Sequence, residues 1–303
     1  MRVLAIIVSY NFKPWADKCL GSLVNSGLPC DVMVIDNGST DGTGDYIRRF
    51  KEVREVGEVK EVREVGEILL HENGANLGFG RANNIGINYA IEQGYNAVLL
   101  LNQDAWLQTD TLERLTDVSR RHPDFGIVSP VHTTRSFDKP ERGFADYTGL
   151  SDLDQQPDAE IVEADFIDAA IWLLPIETIR RVGMFAPLFY HYGEDKDFVN
   201  RLHRYGLKVG YVPHCYGCHD REDRQPTRFG FFRAERTYHL SQYANINLSF
   251  ARAFALGPLA IVKKALQRLI SGKFRDAMTY TGMALQLVAR TPAVLRTRRE
   301  GRL

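Results

Sequence analysis

The chain lacks any run of the roughly 18 apolar residues that a bilayer-spanning helix requires; its apolar runs are strand-length. Cysteine is scarce, with 4 among 303 residues, which excludes a disulfide-built scaffold. Neither sign of charge is in excess. The 38 Lys and Arg balance 38 Asp and Glu, which argues against a uniformly nucleic-acid-binding chain, and no nucleic-acid partner is expected. A phosphate-binding glycine loop is missing as well. Gly78-Phe79-Gly80 is the nearest approach, and without a third glycine at the right spacing a nicotinamide-dependent dehydrogenase is not expected. Met1-Arg2 and the apolar residues 3–8 are too short for a secretory signal, and polar Ser9-Tyr10-Asn11 follows with no small-residue cleavage site, so a reducing cytosol is the expected compartment. What is present, 44% hydrophobic and 25% charged residues, is the composition of an ordinary globular protein with a sizeable core.

Residues 3–8, 32–35 and 98–101 are continuous apolar runs without alternation. Such runs suit strands buried on both faces of a mostly parallel sheet. Helical spacing lies between them: Leu20, Leu23 and Val24 before Gly27; Ala82, Ile85, Tyr89 and Ala90 before Gly94; Leu112, Leu115 and Val118 before Pro123. Strand alternating with helix predicts an α/β domain. Further on, 125–131 and 208–212 read as strands, and Pro175 opens a short helix. Residues 194–205 read as a helix stopped by Gly206, and the pattern is helical from Phe231 onward. Residues 133–157, polar and punctuated by Gly and Pro, read as a loop or small excursion. Residues 51–68 are a tandem repeat, KEVREVGEV followed by KEVREVGEI. Two copies are too few for a solenoid; the Val/charged alternation permits a short hairpin or an extended edge on a lengthened surface excursion, and no chemistry is assigned to it.

Each of the three apolar runs ends in a polar cluster: Ser9-Tyr10-Asn11, Asp36-Asn37-Gly38-Ser39 and Asn102-Gln103-Asp104. Open parallel sheets bind ligands at the carboxyl ends of their strands, so these clusters are expected to converge on one crevice. Asp104 then offers an oxygen ligand to a hard divalent cation, or simply caps the next helix. Glu194-Asp195-Lys196-Asp197 opens a helix, where acids complement the dipole. The aromatic segment before it, Phe189 to Gly193, suits a sugar pocket or a core. His214-Cys215-Tyr216-Gly217-Cys218-His219 contains a C-x-x-C-H pattern. Haem attachment is disfavoured because no export signal is read in the sequence, and a structural zinc site because the other cysteines, Cys19 and Cys30, are not arranged as partner ligands. One of its histidines remains a candidate ligand.

Taken in order, these segments resemble the family 2 inverting glycosyltransferases of the GT-A fold, in particular a rhamnosyltransferase-like branch. The resemblance covers about residues 1–220. It rests on IVSYN at 7–11, VIDNGSTDG at 34–42, NGANLGFGRANN at 73–84, LNQD at 101–104, GEDKD at 193–197 and His219. It implies a Rossmann-like, mostly parallel central sheet flanked by helices, with a C-terminal helical extension. A catalytic domain would occupy 1–230, its nucleotide-sugar half about 1–105 and its acceptor half about 106–230, followed by a basic amphipathic region at 231–303. By the same resemblance, Ser9, Tyr10, Asn11, Asp36, Asn37, Ser39, Asp41, Asn76, Arg81, Asn84, Asn102 and Gln103 line the nucleotide-sugar site, with Asp36 reading the base. Asp104 and His219 hold Mg²⁺ or Mn²⁺, and Asp195 is the catalytic base with Glu194 competing for that role. Trp172, Ala170 and Tyr192 face the acceptor, although 171–174 reads equally well as a buried strand. Asn102 replaces the first acid of the family's D-x-D and brings only a neutral oxygen. The donor implied is a dTDP- or UDP-sugar, dTDP-rhamnose first, and the acceptor a glycan or lipid-linked saccharide. A nucleotidyltransferase and a noncatalytic nucleotide-sugar-binding scaffold are the competing readings; 9–15 lacks the Gly- and Lys-rich signature of the first.

Zero net charge conceals a division. Residues 251–303 carry 11 Lys and Arg against 2 acids, net +9, and residues 1–250 carry net −9. Leu256, Leu259, Ile261, Val262, Leu266, Leu269 and Ile270 run among those basic residues. This suits a peripheral contact with an anionic membrane at its cytoplasmic face; the alternative is a helical subdomain packed on the catalytic domain or on a second subunit of a homodimer.

Overall fold

The computed structural model describes residues 1–55, 66–221 and 227–301. Two compact units emerge, one formed by Met1–Met184 with Gly206–Arg224 and the other by Phe185–Tyr205 with Gln225–Leu303.

The first unit is built on a sheet. Strands β1 (Val3–Ser9), β2 (Asp31–Asp36), β3 (Ile68–Glu72) and β4 (Ala97–Leu101) pair in parallel in the order β3-β2-β1-β4. β1, β2 and β4 are the three apolar runs of the sequence, and nearly all of their residues are buried. Beyond β4 the sheet becomes mixed. β8 (Ile171–Pro175) lies antiparallel between β4 and β6 (Phe125–Thr133), and β6 runs parallel to β9 (Lys208–His219). The short strands β5 (Ala105–Leu107) and β7 (Val162–Ala164) pair antiparallel with opposite ends of β9. The parallel arrangement expected from the apolar runs thus accounts for the β3-β2-β1-β4 side of the sheet, and the returning strand β8 mixes the other side.

β9 continues well past Val212, where the sequence pattern suggested a stop. The pairing with β6 jumps from Pro130–Val212 to Val131–Tyr216. Pro213 cannot donate to the ladder, and His214 takes a left-handed φ of 56°. The strand therefore bulges and then resumes, carrying Cys215, Cys218 and His219 inward. All four cysteines are buried free thiols.

Helices α1 (Ala16–Val24), α2 (Thr43–Glu55), α3 (Phe79–Glu92) and α4 (Thr111–Arg121) connect these strands. Leu20, Leu23, Leu112 and Leu115 join Ile7, Val34 and Leu99 in the main core. Residues 51–55, the start of the repeat, continue α2 rather than forming an extended edge: Ile47 is buried, and Tyr46 and Phe50 pack on the core, so the helix is already anchored when it reaches Lys51. The remainder of the repeat up to residue 65 lies outside the described residues. The segment 133–157 is not simply a loop. It holds α5 (Arg142–Thr148), whose N-cap Glu141 accepts from Phe144 N at 2.9 Å, and a 3₁₀ turn at Leu153–Gln155. α6 (Ile176–Val182) follows β8 directly.

The second unit is helical: α7 (Glu194–Arg204), α8 (Arg228–Ala244), α9 (Phe250–Phe254), a π turn at Ala255–Leu259, α10 (Ala260–Ile270), α11 (Phe274–Ala289) and α12 (Thr291–Glu300). The π turn holds Pro258, whose missing N–H accounts for the local break in the α ladder. Phe189, Leu240, Tyr243, Ile261, Tyr280 and Leu287 centre its own core. Among the described residues no helix is long and apolar enough to cross a membrane.

Candidate active site

At the carboxyl ends of β1 and β2, Ser9 pairs with Asp36. The buried Asp36 carboxylate accepts from Ser9 Oγ at 3.0 Å and from Ser39 N at 3.0 Å, and also from Ser39 Oγ. Its Oδ1 takes both hydroxyls and its Oδ2 takes the amide, which leaves Oδ2 with capacity for one further donor. Ser39 Oγ accepts from Asn11 N at 2.8 Å, and Asn11 Oδ1 accepts from Thr40 N at 2.9 Å. Asp41 accepts from Lys13 N at 3.1 Å and from Thr43 Oγ1 at 2.5 Å. Burial works against this carboxylate, yet these hydrogen bonds hold it below its ordinary range. The loops after β1 and β2 are thus one hydrogen-bonded unit.

Asn37 extends that unit to the loop after β3: its Oδ1 accepts from Asn73 Nδ2 at 2.7 Å. Asn76 Oδ1 accepts from Gly78 N at 2.9 Å, turning the chain into α3. Arg81 is exposed and Asn84 half-buried on the first turns of that helix. On the other side, Gln103 copies a strand pairing. Its Oε1 accepts from Tyr10 N at 2.7 Å and its Nε2 donates to Tyr10 O at 3.1 Å.

β4 ends at Leu101, and Asn102 N bonds Ala170 O at 2.8 Å. β5 pairs Ala105 with His219, bringing Asp104 beside the end of β9. Asp104 Oδ1 lies 3.7 Å from His219 Nε2, and Asn102 Nδ2 lies 3.4 Å from the same nitrogen. Asp104 and His219 thus bring a carboxylate oxygen and an imidazole nitrogen side by side. This donor set fits a divalent cation.

Two residues missed in the sequence belong to this cluster. His132, near the end of β6, and Asp168, in the loop before β8, surround the other face of His219. Asp168 Oδ1 is 3.2 Å from His132 Nδ1, and its Oδ2 is 3.9 Å from His219 Nδ1. Arg221 Nη1 donates to Oδ2 at 3.1 Å. All three residues of the His132–Asp168–His219 group are buried. Burial alone would raise the Asp168 carboxyl; contact with His132 and electrostatic interaction with His219, His132 and Arg221 overcome it and hold the group well below the usual carboxylate range. Side chains of this kind are metal ligands elsewhere, but a guanidinium on Asp168 makes it the counter-ion of a cationic side chain rather than a cation ligand. No local spacing links residues from a strand, a loop and a bulged strand; only the sheet order does.

The residues expected to face an acceptor are placed differently from one another. Trp172 is 0% exposed within β8, opposite Leu100 of β4, and Ala170 is buried beside it, so both are part of the sheet's interior. Tyr192, in the second unit, is half-buried with a φ of 69°, under the Arg233 guanidinium at 4.5 Å.

Also in the second unit, Gly193 takes a φ of 95° and delivers the acids at the first turn of α7. Glu194 is buried, and its Oε2 has no hydrogen-bond partner among the described residues. Burial, with the neighbouring Asp195 charge, pushes its carboxyl up to about 7. Asp195 is half-buried and its Oδ1 accepts from Lys196 N at 2.8 Å. Asp197 pairs with Arg201 at 2.9 Å, both deeply buried.

Comparison with known proteins bears on the fold and the family. A mannosyltransferase from Pyrobaculum calidifontis, solved in complex with GDP-Man and Mn²⁺, superposes with a TM-score of 0.56 at 18% identity, over 98% of this chain and 86% of its own. Among curated proteins, an undecaprenyl-phosphate mannosyltransferase of Micrococcus luteus is 31% identical over 120 residues, 40% of this chain and 45% of its own length. The chain therefore spans less than half of that relative. An N-acetylglucosaminyl-diphospho-decaprenol L-rhamnosyltransferase of Mycobacterium tuberculosis is 26% identical over 69% of this chain and 72% of its own. The fold is that of the GT-A glycosyltransferases. The family model described as Glycosyl transferase family 2 matches residues 4–158, more than half of the sequence, and the chain belongs to that family.

Proposed function

We propose that this glycosyltransferase moves a sugar, L-rhamnose from dTDP-rhamnose, with inversion onto a hydroxyl of a glycan or lipid-linked saccharide. The observation that carries the reading is the placement of Asp104 beside His219 Nε2 at the strand ends, next to the loop unit ordered by Asp36. The rhamnosyltransferase relative supports the choice of sugar. The remaining capacity of Asp36 Oδ2 suits the imide N–H of thymine or uracil. Ser39, Asp41, Arg81 and Asn84 are the candidate groups around ribose and diphosphate, with Asn76, Asn102 and Gln103 shaping the loops.

Asp104 and His219 are the residues that would hold Mg²⁺ or Mn²⁺, which when bound neutralises the charge of the leaving diphosphate. Asp195 is the base. The acceptor oxygen attacks the anomeric carbon opposite the leaving group, and its proton passes to the carboxylate. The bond from the anomeric carbon to the diphosphate oxygen breaks, and its electron pair leaves with the diphosphate. A helix N-terminus favours the negative charge such a base needs, and the direct displacement uses no covalent intermediate.

The experiment is a thermal-shift panel of dTDP-, UDP- and GDP-sugars with Mn²⁺ or Mg²⁺, since a donor that binds the folded state raises its stability by mass action, followed by transfer assays of Asp195→Asn. The variant is expected to bind donor and to lose transfer. Retained turnover would remove Asp195 from the role, and a preference for a different donor would replace rhamnose.

The tail supports a second part of the reading, attachment to an anionic membrane. Ile270 at the end of α10 is 87% exposed and Met278 on α11 76%, with Leu266, Phe274 and Leu285 also exposed. They stand in a region of net charge +9. Like charge disfavours a second copy of this face, whereas acidic lipid headgroups complement it. The full chain is expected to float with phosphatidylglycerol-containing vesicles, less with phosphatidylcholine alone, and Ile270→Glu with Phe274→Glu is expected to release it. Equal recovery of the wild type with and without acidic lipid would refute the attachment.

A further inference from the structure

The helical unit holds a cavity of about 540 Å³ that the transfer site does not use. Phe231 and Glu235, one turn apart on α8, form one wall, Lys264, Arg268 and Ile270 of α10 a second, and the buried Tyr280 of α11 a third. Glu235 Oε2 accepts from Lys264 Nζ and from Tyr280 Oη at 3.1 Å, while no described residue bonds its Oε1. The Lys264 charge is thus spent inside the wall. Arg268, half-buried beside the Tyr280 hydroxyl, has no carboxylate at ion-pair distance among the described residues. Next to the cavity Arg228 pairs with Asp276, and Lys273 adds its charge there. Four cations, Arg228, Lys264, Arg268 and Lys273, therefore surround two carboxylates, Glu235 and Asp276. The rim has the opposite character: Ile270 is 87% exposed and Phe231 51%.

We propose that this cavity seats the phosphate of a lipid, held by Arg268 with Lys264 alongside, while the first carbons of the acyl chains lie against Phe231 and Ile270. A soluble anion would use only the cationic wall; an amphiphile uses the wall and the apolar rim together. The Arg268 guanidinium is a planar fork that matches two phosphate oxygens. Glu235 adds selectivity. An unpaired carboxylate would repel the anion, but its Oε2 is engaged by Lys264 and Tyr280, and its Oε1 is left to accept the P–O–H proton of a singly ionised phosphate monoester. A phosphate diester has no such proton, so the cavity selects phosphatidic acid over a diester lipid of equal charge. The inference deepens the membrane attachment proposed above and rests on it for the lipid, though not for the phosphate.

The test is flotation of the full chain with phosphatidylcholine vesicles that carry phosphatidic acid or phosphatidylglycerol at matched surface charge. It is run at about pH 6, where a phosphate monoester keeps part of its second proton. The wild type is expected to bind phosphatidic acid about tenfold more tightly, the order of one charge-assisted hydrogen bond. Arg268→Gln, its fold checked by circular dichroism, is expected to lose that preference and still to bind phosphatidylglycerol. Lys263→Gln removes the same charge from an exposed position of α10 outside the cavity and is expected to keep the preference. Equal binding of the two acidic lipids by the wild type, or a preference that survives in Arg268→Gln, overturns the proposal.

Glycerol 3-phosphate separates the two sources of the anion. It carries the headgroup without acyl chains, and it is expected to displace the wild type from phosphatidic acid vesicles only at concentrations far above that of the lipid. Displacement at equal concentration would assign the cavity to a soluble phosphate monoester and overturn the lipid. If the wild type floats with neither acidic vesicle, the membrane attachment falls, and thermal shift with glycerol 3-phosphate decides the cavity by itself. Stabilisation that Arg268→Gln removes keeps the phosphate seat, and no stabilisation refutes it.

Discussion

Glu194 provides a stability test that needs no substrate. Its side chain is 3% exposed at the first turn of α7, and Oε2 has no hydrogen-bond partner among the described residues. A helix N-terminus favours a carboxylate by a few tenths of a kcal/mol up to about 1. Burial outweighs it and, with Asp195 alongside, raises the carboxyl from 4.5 to about 7. The folded state therefore prefers the protonated acid. Below pH 4.5 folded and unfolded chains both carry the proton, and the group costs nothing. As pH rises toward 7 the unfolded chain ionises first, and folding is increasingly opposed. Above 7 the penalty is constant, on the order of 3 kcal/mol at 1.36 kcal/mol per unit. Glu194→Gln is neutral and nearly isosteric, so it removes the penalty. Relative to wild type it is expected to be more stable by up to about 3 kcal/mol at pH 8 and nearly equal at pH 4.5. Urea titrations of both proteins at several pH values, followed by far-UV circular dichroism, measure the difference, in which all other titrating groups cancel. A difference that does not vary with pH, or a Gln variant less stable at pH 8, refutes the reasoning.

Three further substitutions test the packing that carries the site. A Cβ on Gly86 of α3 would sit 2.9 Å from Ile6 Cδ1 and Cγ2, so Gly86→Ala is expected to lose about 1–3 kcal/mol by denaturation despite its better helix propensity. Asp197→Ala removes the carboxylate from the buried Arg201 and is expected to cost about 3–5 kcal/mol by the same measurement. Gly193→Ala must accept a φ of 95° and a Cβ 2.9 Å from Thr237 Cγ2; a loss of transfer activity exceeding the loss of folded protein is expected, because the residue delivers Glu194 and Asp195.

The parts of the fold legible in the sequence are those with a local cause. β1, β2 and β4 are buried on both faces and so appear as uninterrupted apolar runs. The helices α1, α3 and α4 show their buried faces at helical spacing and end at glycine or before proline. β8 was legible as an apolar segment, but its antiparallel insertion between β4 and β6 depends on which strands reach it first, which no local pattern records. The sequence pattern ends this strand at Val212, before a proline that cannot donate to the ladder, whereas in the fold the neighbouring β6 resumes pairing beyond the bulge. The loop residues after β1, β2 and β4 could be named because polar residues at strand ends share one edge of a parallel sheet. His132 and Asp168 could not: each alone is an ordinary polar residue near an apolar segment, and their meaning arises only where β6, β8 and β9 are neighbours. Nor does composition foretell that Phe185–Tyr205 packs with the C-terminal helices; Phe189 simply finds Leu240 and Tyr243 in their core.

The choice between Asp195 and Glu194 as base turns on access and on proton affinity, and the two criteria point in opposite directions. A base working near neutral pH gains from a raised pKa, which Glu194 has. It must also touch the acceptor hydroxyl, and Glu194 is almost wholly buried whereas Asp195 is half-buried. If Asp195 is the base, Glu194 acts on it through charge. Its ionisation around pH 7 adds a second negative charge next door and makes Asp195 a stronger proton acceptor. The wild-type kcat/KM is then expected to rise with pH through an inflection near 7. In Glu194→Gln that inflection disappears, while turnover persists at about the low-pH level of the wild type. If Glu194 is itself the base, the same substitution abolishes turnover at every pH, and the assignment of Asp195 falls. A flat wild-type profile between pH 5.5 and 8.5 would refute the charge coupling between the two acids and return Glu194 to a purely structural place at the start of the helix.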